Sequence, residues 1–328
     1  YLNFHKMMEE FLKSLTQTSV MVIGDIMLDR YLFGEIKRTS TEAPINIVDI
    51  IKEKEKIGGA GNVALSLKNL KVKVSLFGFV GNDLAGTKII SEIKKNKINT
   101  RGILINGKTT EKTRIITSKR KHHSRFDVEE INYKNSTQKE KLLKIILSNI
   151  PNVDFLILQD YNKGLLDKNM IKNILSGAKK YNKPVMVDPK EKNFIKYKGV
   201  KLIKPNLKEA EKLLKQKISL TNKNLREACL NIQQKTKSDW VILTLGKNGL
   251  CIFFDKQFYR EYALPKKEPD VTGAGDNVIC TSSLAIFHKI PIQKIAKFSN
   301  ESGRLACNKT GTNPINYYEL ITKLKKKY

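Results

Sequence analysis

The chain has 328 residues, of which 40% are hydrophobic, so it can bury a complete core and is expected to form one large domain. Lysine and arginine number 61 against 32 aspartate and glutamate, a formal charge of +29 that raises nucleic-acid binding as a hypothesis. Only nine of those 61 basic residues are arginine, and the lysines are spread along the whole chain. This distribution favours a solvated lysine-rich surface and argues against a protein that reads bases.

The first predicted element is a short amphipathic helical extension over residues 1–17. Charged residues interrupt its apolar positions, so it does not resemble a secretory signal. No apolar run in the chain is long enough to span a bilayer, so no membrane contact is expected. Four cysteines lie far apart without the spacing of a metal site, which favours reduced thiols and a cytoplasmic protein. They are Cys229, Cys251, Cys280 and Cys307.

Short β-branched apolar runs then alternate with amphipathic helical segments. Such runs are typical of strands buried on both faces, and the alternation predicts an α/β fold with a mostly parallel sheet over residues 18–328. The predicted strands are 20–24, 74–79, 155–158, 185–187, 202–203 and 241–245. The clearest predicted helices are 84–95, 138–148 and 169–181. Segments 30–51 and 112–129 depart from the alternation and predict a small outlying sheet.

Polar side chains follow the first predicted strand. Asp25 ends that strand, and with Asp29 it supplies charged acceptors suited to the hydroxyls of a sugar. A turn cap is the alternative role of Asp25. Residues 57–64 read IGGAGNVA, so Gly58 and Gly59 precede a helix that carries Asn62. This cluster indicates either a binding turn or tight packing of the helix against the sheet.

Two later segments begin helices. Asn206 and Glu209 have the spacing of a capping box after the strand 202–203. Residues 270–276 read DVTGAGD before an apolar helix. The free amides of such a turn favour an anion, and a carboxylate at Asp276 is suited to take a proton from a hydroxyl that attacks a phosphate. The alternative is that Asp276 only complements the helix dipole.

Taken in order, these segments resemble the ribokinase-like (PfkB) family of sugar kinases, and within it the heptose 7-phosphate kinases. The resemblance covers about residues 18–320 and includes GDIMLDRY at 24–31, Arg38 to Pro44, QDYNKG at 159–164, VDPK at 187–190 and KPNLKE at 204–209. It implies a three-layer α/β sandwich whose small sheet forms a β lid over the sugar and often a dimer contact. Lys71 departs from the pattern, because a glycine commonly ends that helix in the family.

The resemblance implies a role for each matched residue. Asp276 is the expected catalytic base, with an anion hole at Gly273, Ala274 and Gly275. Expected sugar-binding residues are Asp25, Asp29, Gly58, Gly59 and Asn62. Candidates for a second anchor, on the phosphate of the sugar, are Arg38, Arg114, Arg125 and Lys190. Expected ATP-binding residues are Asn206, Leu207, Lys208, Glu209, Thr244, Gly246, Gly249 and Asn300, with loop 310–312 beside the adenine. Glu209 is expected near Mg²⁺, and a monovalent cation is a further expected cofactor.

The implied reaction is ATP-dependent phosphorylation of the anomeric C1 hydroxyl of D-glycero-β-D-manno-heptose 7-phosphate, in ADP-heptose and lipopolysaccharide core synthesis. A homodimer through the lid and a separate heptose 1-phosphate adenylyltransferase are the expected partners. Another sugar kinase of the family, acting on a fructose, tagatose or ribose substrate, would share the same catalytic residues. A sugar-sensing pseudokinase and a polyanion-binding protein, which would use the runs 119–121 and 325–327, are the alternatives from other classes.

Overall fold

The structure, a computed structural model, describes residues 2–117, 121–130, 136–263, 272–308 and 311–327. Within these ranges nine strands form one large sheet in the order β13-β12-β11-β10-β9-β8-β1-β4-β5. The strands are β1 (Ser19–Gly24), β4 (Lys73–Val80), β5 (Ile103–Ile105), β8 (Phe155–Gln159), β9 (Val185–Asp188), β10 (Leu202–Ile203), β11 (Trp240–Thr244), β12 (Leu250–Phe254) and β13 (Gln257–Glu261). All six predicted strands belong to this sheet.

Pairing in the large sheet is parallel from β5 to β11, and only β12 and β13 are antiparallel. Residues of β1 face its two sides in turn, as strand geometry requires. Val20 and Val22 pack in one hydrophobic core, and Met21 and Ile23 pack in a second. Cores on both faces confirm the prediction of an α/β sandwich with a mostly parallel sheet.

Helices cover both faces of the sheet. The first core receives α1 (Leu2–Leu15), α2 (Ala60–Asn69), α3 (Leu84–Lys95), α8 (Ala274–Phe287), α9 (Ile292–Ala306) and α10 (Tyr317–Lys327). The second receives α4 (Ser136–Asn149), α5 (Lys168–Lys180), α6 (Leu207–Leu214) and α7 (Asn222–Thr236). The N-terminal helix α1 buries Phe11 and Leu15 in the first core, so it packs on the body of the fold.

A smaller sheet has the strand order β3-β2-β6-β7. It comprises β2 (Ile26–Thr39), β3 (Asn46–Gly59), β6 (Thr110–Thr117) and β7 (Lys121–Val128). These strands include both outlying segments of the sequence analysis, but β2 begins earlier and β3 ends later than segment 30–51. Asp29 therefore lies inside a strand of the small sheet, and Gly59 is the last residue of β3.

Two features of the sequence analysis, the lack of a membrane span and the basic runs, concern the surface of the protein. No helix within the described ranges has the length and apolarity that crossing a bilayer requires. The basic run 119–121 includes Lys119 and Arg120, which lie outside the described residues, as do the side chains of run 325–327.

Two exposed lysines end helices in the left-handed conformation. Lys215 ends α6 with φ 55°, and Lys237 ends α7 with φ 52°. A side chain with a Cβ is strained there, whereas glycine is not. We expect Lys215→Gly and Lys237→Gly each to raise the free energy of unfolding by about 1 kcal/mol. Urea denaturation checks this, with Lys→Ala at each position as the control for lost charge. Equal stability of the glycine and alanine variants would contradict it.

Candidate active site

Asp276 lies in the first turn of α8 and is almost fully buried, with 1% of its surface exposed. Its Oδ2 accepts a hydrogen bond from Asn62 Nδ2 at 2.8 Å. Its Oδ1 accepts from Gln159 Nε2 at 3.0 Å and from the Tyr161 hydroxyl at 2.9 Å. These donors come from α2, from β8 and from the loop after β8. Helix α2, strand β8 and the loop after β8 therefore meet at one carboxylate.

The environment of Asp276 changes its acidity. Burial is the largest cause, and it raises the pKa of Asp276 to about 6, because a charged carboxylate is costly away from water. The hydrogen bond from Asn62 opposes this rise, and the negative charge of Asp188 adds to it. A carboxylate with a pKa near the ambient pH is suited to accept and release a proton.

The turn before Asp276 leaves backbone groups available. Gly273 has φ 77°, and a Cβ there would come within 3.2 Å of Asn62 and Thr312. A Cβ on Gly275 would lie 3.3 Å from Lys204 Nζ. No described side chain caps this end of α8, so its first amides can bind an anion. Asp270 and Val271 of the same motif lie outside the described residues.

A buried polar chain connects Asp276 to the neighbouring strands. Gln159 Nε2 also donates to Asp188 Oδ2 at 3.0 Å. Lys204 Nζ forms an ion pair with the same oxygen at 3.0 Å. Sequence analysis identified the segments that contain Gln159, Tyr161, Asp188 and Lys204 but gave none of the four a role. The available signal was their position, since each lies at or just beyond the carboxyl end of a parallel strand, where ligands of open α/β sheets bind.

A cavity of about 570 Å³ opens beside the glycine turn. Asp276, Asp188, Lys190 and Lys204 contribute to its wall. Of the expected ATP-binding residues, those on this wall are Asn206, Thr244, Gly246, Gly249 and Asn300. Leu207, Lys208 and Glu209 do not line it, and Lys208 is exposed.

Residues 311–312 of the loop that was expected beside the adenine contact the small sheet. Thr312 N donates to the Tyr31 hydroxyl at 3.0 Å, and Thr312 Oγ1 donates to Asp29 Oδ2 at 3.2 Å. Gly311 is also close to the Tyr31 ring. These contacts hold Gly311 and Thr312 against the small sheet, and Thr312 also lies close to Gly273, although neither residue lines the cavity. Thr310 lies outside the described residues.

Glu209 is engaged on both carboxylate oxygens. Oε2 accepts from the Asn206 amide at 2.9 Å, which completes the predicted capping box. Oε1 accepts from Lys190 Nζ at 2.5 Å. Burial acts to lower the pKa of Lys190, but Asp188 and Glu209 outweigh it and the pKa is raised. The structure thus places Lys190 on the cavity wall with Glu209. Within the described residues, no group of three or more His, Cys, Asp or Glu is placed to hold a metal ion.

Asp25 is buried, and Tyr161 connects it to Asp276. Asp25 Oδ2 accepts from the amides of Tyr161 at 2.8 Å and Lys163 at 3.1 Å. Among the residues that the structure describes, its Oδ1 has no hydrogen-bond partner, and neither has Asn62 Oδ1. Burial, followed by the charge of Asp160, raises the pKa of Asp25 to about 7. Two such buried oxygens, one of them on the Asn62 side chain that bonds to Asp276, are suited to accept hydrogen bonds from ligand hydroxyls.

Gly58 and Gly59 leave no room for a side chain, because each lies against an aspartate. A Cβ on Gly58 would lie 2.3 Å from Asp29 Oδ2. Gly59 has φ 59°, and a Cβ there would lie 2.3 Å from the Asp25 carbonyl oxygen. Asp29 Oδ1 in turn accepts from Arg114 at 2.6 Å. Any larger residue at position 58 would displace the carboxylate of Asp29.

The basic candidates do not all meet at this site. Arg114 is buried beside Asp29, and Lys190 lies on the cavity wall. Arg38 is exposed near the end of β2. The Arg125 side chain is 58% exposed and pairs with Asp127. The sequence could not separate Arg114 from Arg125, because the two are register partners on one face and differ in burial only through the position of β7 at the edge of the small sheet.

Known proteins are similar to this chain over most of its length. The model of the pfkB family of carbohydrate kinases matches residues 17–317. The bifunctional protein HldE of Helicobacter pylori is 36% identical over 295 residues, which are 89% of this chain and 63% of that protein. HldE of Sulfurimonas denitrificans is 35% identical over 315 residues, 95% of this chain and 65% of that protein. The chain thus spans less than two thirds of these relatives.

Solved structures share the fold at low sequence identity. Phosphofructokinase-2 from Escherichia coli, in complex with substrates and products, has a TM-score of 0.77 at 15% identity, with 93% of this chain and 97% of that chain covered. Ribokinase from Arabidopsis thaliana, complexed with ribose and ATP, has a TM-score of 0.70 at 17% identity, covering 93% and 98%. These similarities confirm the predicted ribokinase-like fold.

The raised pKa of Asp276 predicts a pH-dependent stability cost. The folded pKa is above the unfolded value near 4, so the stabilisation from the protonated form is lost as the pH rises through about 6. Asp276→Asn removes this dependence, since Asn62 can turn its unpaired Oδ1 toward the new amide. We expect the free energy of unfolding of the variant, relative to that of the wild type, to rise by about 2 kcal/mol between pH 4.5 and pH 8.

Urea unfolding at several pH values measures this difference. Asp255→Asn, in an exposed turn, controls for the change in net charge. A difference between Asp276→Asn and the wild type that stays constant with pH would contradict the assignment.

Proposed function

The chain belongs to the pfkB family of carbohydrate kinases, and from this premise we propose that it phosphorylates the anomeric C1 hydroxyl of D-glycero-β-D-manno-heptose 7-phosphate with ATP. The observation that carries the proposal is the position of Asp276, between unpaired acceptors on one side and a cavity with cationic walls on the other. The choice of heptose follows the resemblance of segments 24–31 and 38–44 to heptose 7-phosphate kinases, and the HldE relatives support it.

On the sugar side, Asp25 and Asn62 orient the substrate. Each offers a buried oxygen without a partner, and a sugar hydroxyl can donate to each. Asn62 also donates to Asp276, so a hydroxyl bound at Asn62 lies close to the base. Gly58 and Gly59 keep the backbone open at this point. Asp29 also belongs to the sugar side, and Arg114 donates a hydrogen bond to its carboxylate.

On the nucleotide side, ATP occupies the cavity as its Mg²⁺ complex. Mg²⁺, held by the phosphates of the nucleotide, would supply positive charge that offsets theirs. Lys190 and Lys204 on the cavity wall attract the same phosphates. Glu209 holds Lys190 in place, and both of its oxygens have protein partners, so we assign it to the nucleotide through Lys190.

The transfer is completed at Asp276. The C1 oxygen forms a bond to the γ-phosphorus as the bond to the ADP oxygen breaks, and the hydroxyl proton moves to Asp276. Amides of Gly273, Ala274 and Gly275 stabilise charge on the transferring group, and each such donor is worth on the order of 10²-fold in rate. Gln159 and Tyr161 hold the carboxylate in position throughout.

Partners are part of the same proposal. Exposed apolar residues of the small sheet and of its β2–β3 loop provide a surface for a homodimer: Ile45, Ile50, Ile51, Phe126 and Val128. The product, a heptose 1,7-bisphosphate, leads to a substrate for an adenylyltransferase, which we propose as the functional partner. Cytoplasmic localisation and a monovalent cation are proposed with them, from the resemblance.

The proposed reaction predicts a clear substrate preference. We expect ADP release with magnesium-ATP to be fastest with heptose 7-phosphate among that sugar, fructose 6-phosphate, fructose 1-phosphate, tagatose 6-phosphate, ribose and fructose. Asp276→Asn should lower kcat by about 10² to 10⁴-fold because the proton acceptor is lost. Preference for another sugar would keep the chemistry and overturn the choice of heptose. Turnover of the folded variant near the wild-type rate would overturn the role of Asp276.

The rate should depend on pH through the same group. A base must be deprotonated, so kcat should rise with pH up to about 6 and then level off, following the pKa of Asp276. Tyr161→Phe removes a hydrogen bond that lowers this pKa, so the rising limb should move to higher pH. Ionisation of the substrate phosphate is the same in both proteins, which makes the shift between them the test. Coincident profiles would contradict it.

A further inference from the structure

Lys112 lies on β6, in the small sheet, with its side chain close to the active site. Its register partners are Asp29 on β2 and Asp127 on β7, so the three side chains share one face. Lys112 Nζ lies 5.0 Å from the centroid of the Tyr161 ring. The hydroxyl of that ring contacts Asp276. Tyr161 thus spans the space between an ammonium group and the proposed base.

The charged side chains around Lys112 form ion pairs with one another, and Lys112 is in none of these pairs. Arg114 donates to Asp29 at 2.6 Å, and the Lys163 ammonium pairs with Glu129. Asp127 pairs with Arg125 at 2.9 Å. Across the described residues, the ammonium of Lys112 has no carboxylate within ion-pair distance.

The unpaired charge of Lys112 is held at a cost. Its side chain is half-buried, and burial lowers its pKa. The attraction of Asp29 and Asp127 opposes this, whereas the nearby cations Lys163 and Arg114 lower the pKa further. An anion placed against Lys112 would offset both the lost hydration and the repulsion.

We infer that Lys112 binds the phosphate that the sugar substrate already carries, at the end remote from the reacting hydroxyl. The inference rests on the proposed function and deepens it. A sugar lying along Tyr161 presents one end to Asp276 and the other to Lys112. Lys163 and Arg114 frame the site, but each already has a carboxylate partner.

The nucleotide is a less suitable ligand for this group. The cavity wall beside the glycine turn includes Lys190 and Lys204 but not Lys112. Lys112 instead belongs to the small sheet, whose Asp29 lies against Gly58 on the sugar side. The anion that reaches Lys112 therefore belongs to the sugar, which makes Lys112 a determinant of specificity for phosphorylated sugars.

The first test compares heptose 7-phosphate with unphosphorylated heptose as acceptors. We expect Lys112→Met to lower the ratio of their kcat/KM values by about 10 to 100-fold, the worth of a charged hydrogen bond. Lys112→Arg should keep most of the ratio, because it keeps the charge. Lys52→Met, on an exposed position of β3, is the matched control and should leave the ratio unchanged. An unchanged ratio in Lys112→Met would overturn the inference.

The second test does not need turnover. Calorimetry measures binding of heptose 7-phosphate and of heptose to Asp276→Asn and to Asp276→Asn with Lys112→Met. We expect the second substitution to weaken binding of the phosphate ester by about 10 to 100-fold and to spare heptose. Equal weakening of both ligands would indicate a structural role and overturn the inference. If no sugar phosphate is a substrate but this selective loss is seen, the phosphate site stands and the proposed reaction fails.

Discussion

The burial of one carboxylate at the start of α8 is the constraint on which the site depends. Burying a charge costs free energy unless hydrogen bonds compensate it. Asp276 obtains these bonds from Asn62, Gln159 and Tyr161, which belong to three different parts of the fold. The parallel sheet makes this possible, since it brings the ends of β1, β8, β9 and β10 to the same edge.

The two sides of Asp276 differ in their electrostatics, and the difference suits a transfer between two ligands. Asp25 and Asn62 each have a buried oxygen with no partner among the described residues, and each oxygen can accept a hydrogen bond from a sugar hydroxyl. Ammonium groups of Lys190 and Lys204 line the cavity on the other side and attract phosphates. The Tyr161 ring lies near two ammonium groups: its centroid is 5.0 Å from Lys112 Nζ and 5.3 Å from Lys190 Nζ.

The small sheet is connected to the catalytic helix through the segment 311–313. Thr312 bonds to Tyr31 and Asp29 of β2, and Asn313 accepts a hydrogen bond from Lys56 of β3. The carbonyl of Asn313 accepts from Asn277, the neighbour of Asp276, at 3.0 Å. Hydrogen bonds from this segment thus connect the small sheet to the start of α8. The small sheet and α8 form one site because the same segment contacts both.

The sequence by itself determined the α/β class, six strands of the large sheet and the role proposed for Asp276, because strand periodicity and a glycine turn are local properties of the chain. It did not identify Gln159, Tyr161, Asp188 or Lys204 as neighbours of the base. In the sequence, Tyr161 and Asn62 lie 115 and 214 residues from Asp276, and no local pattern predicts a contact over such separations. Nor did it distinguish Arg114 and Lys112 from Arg125 and Arg38. Only the tertiary structure decided this, since strand register sets which charges are paired and which one is left to bind a ligand.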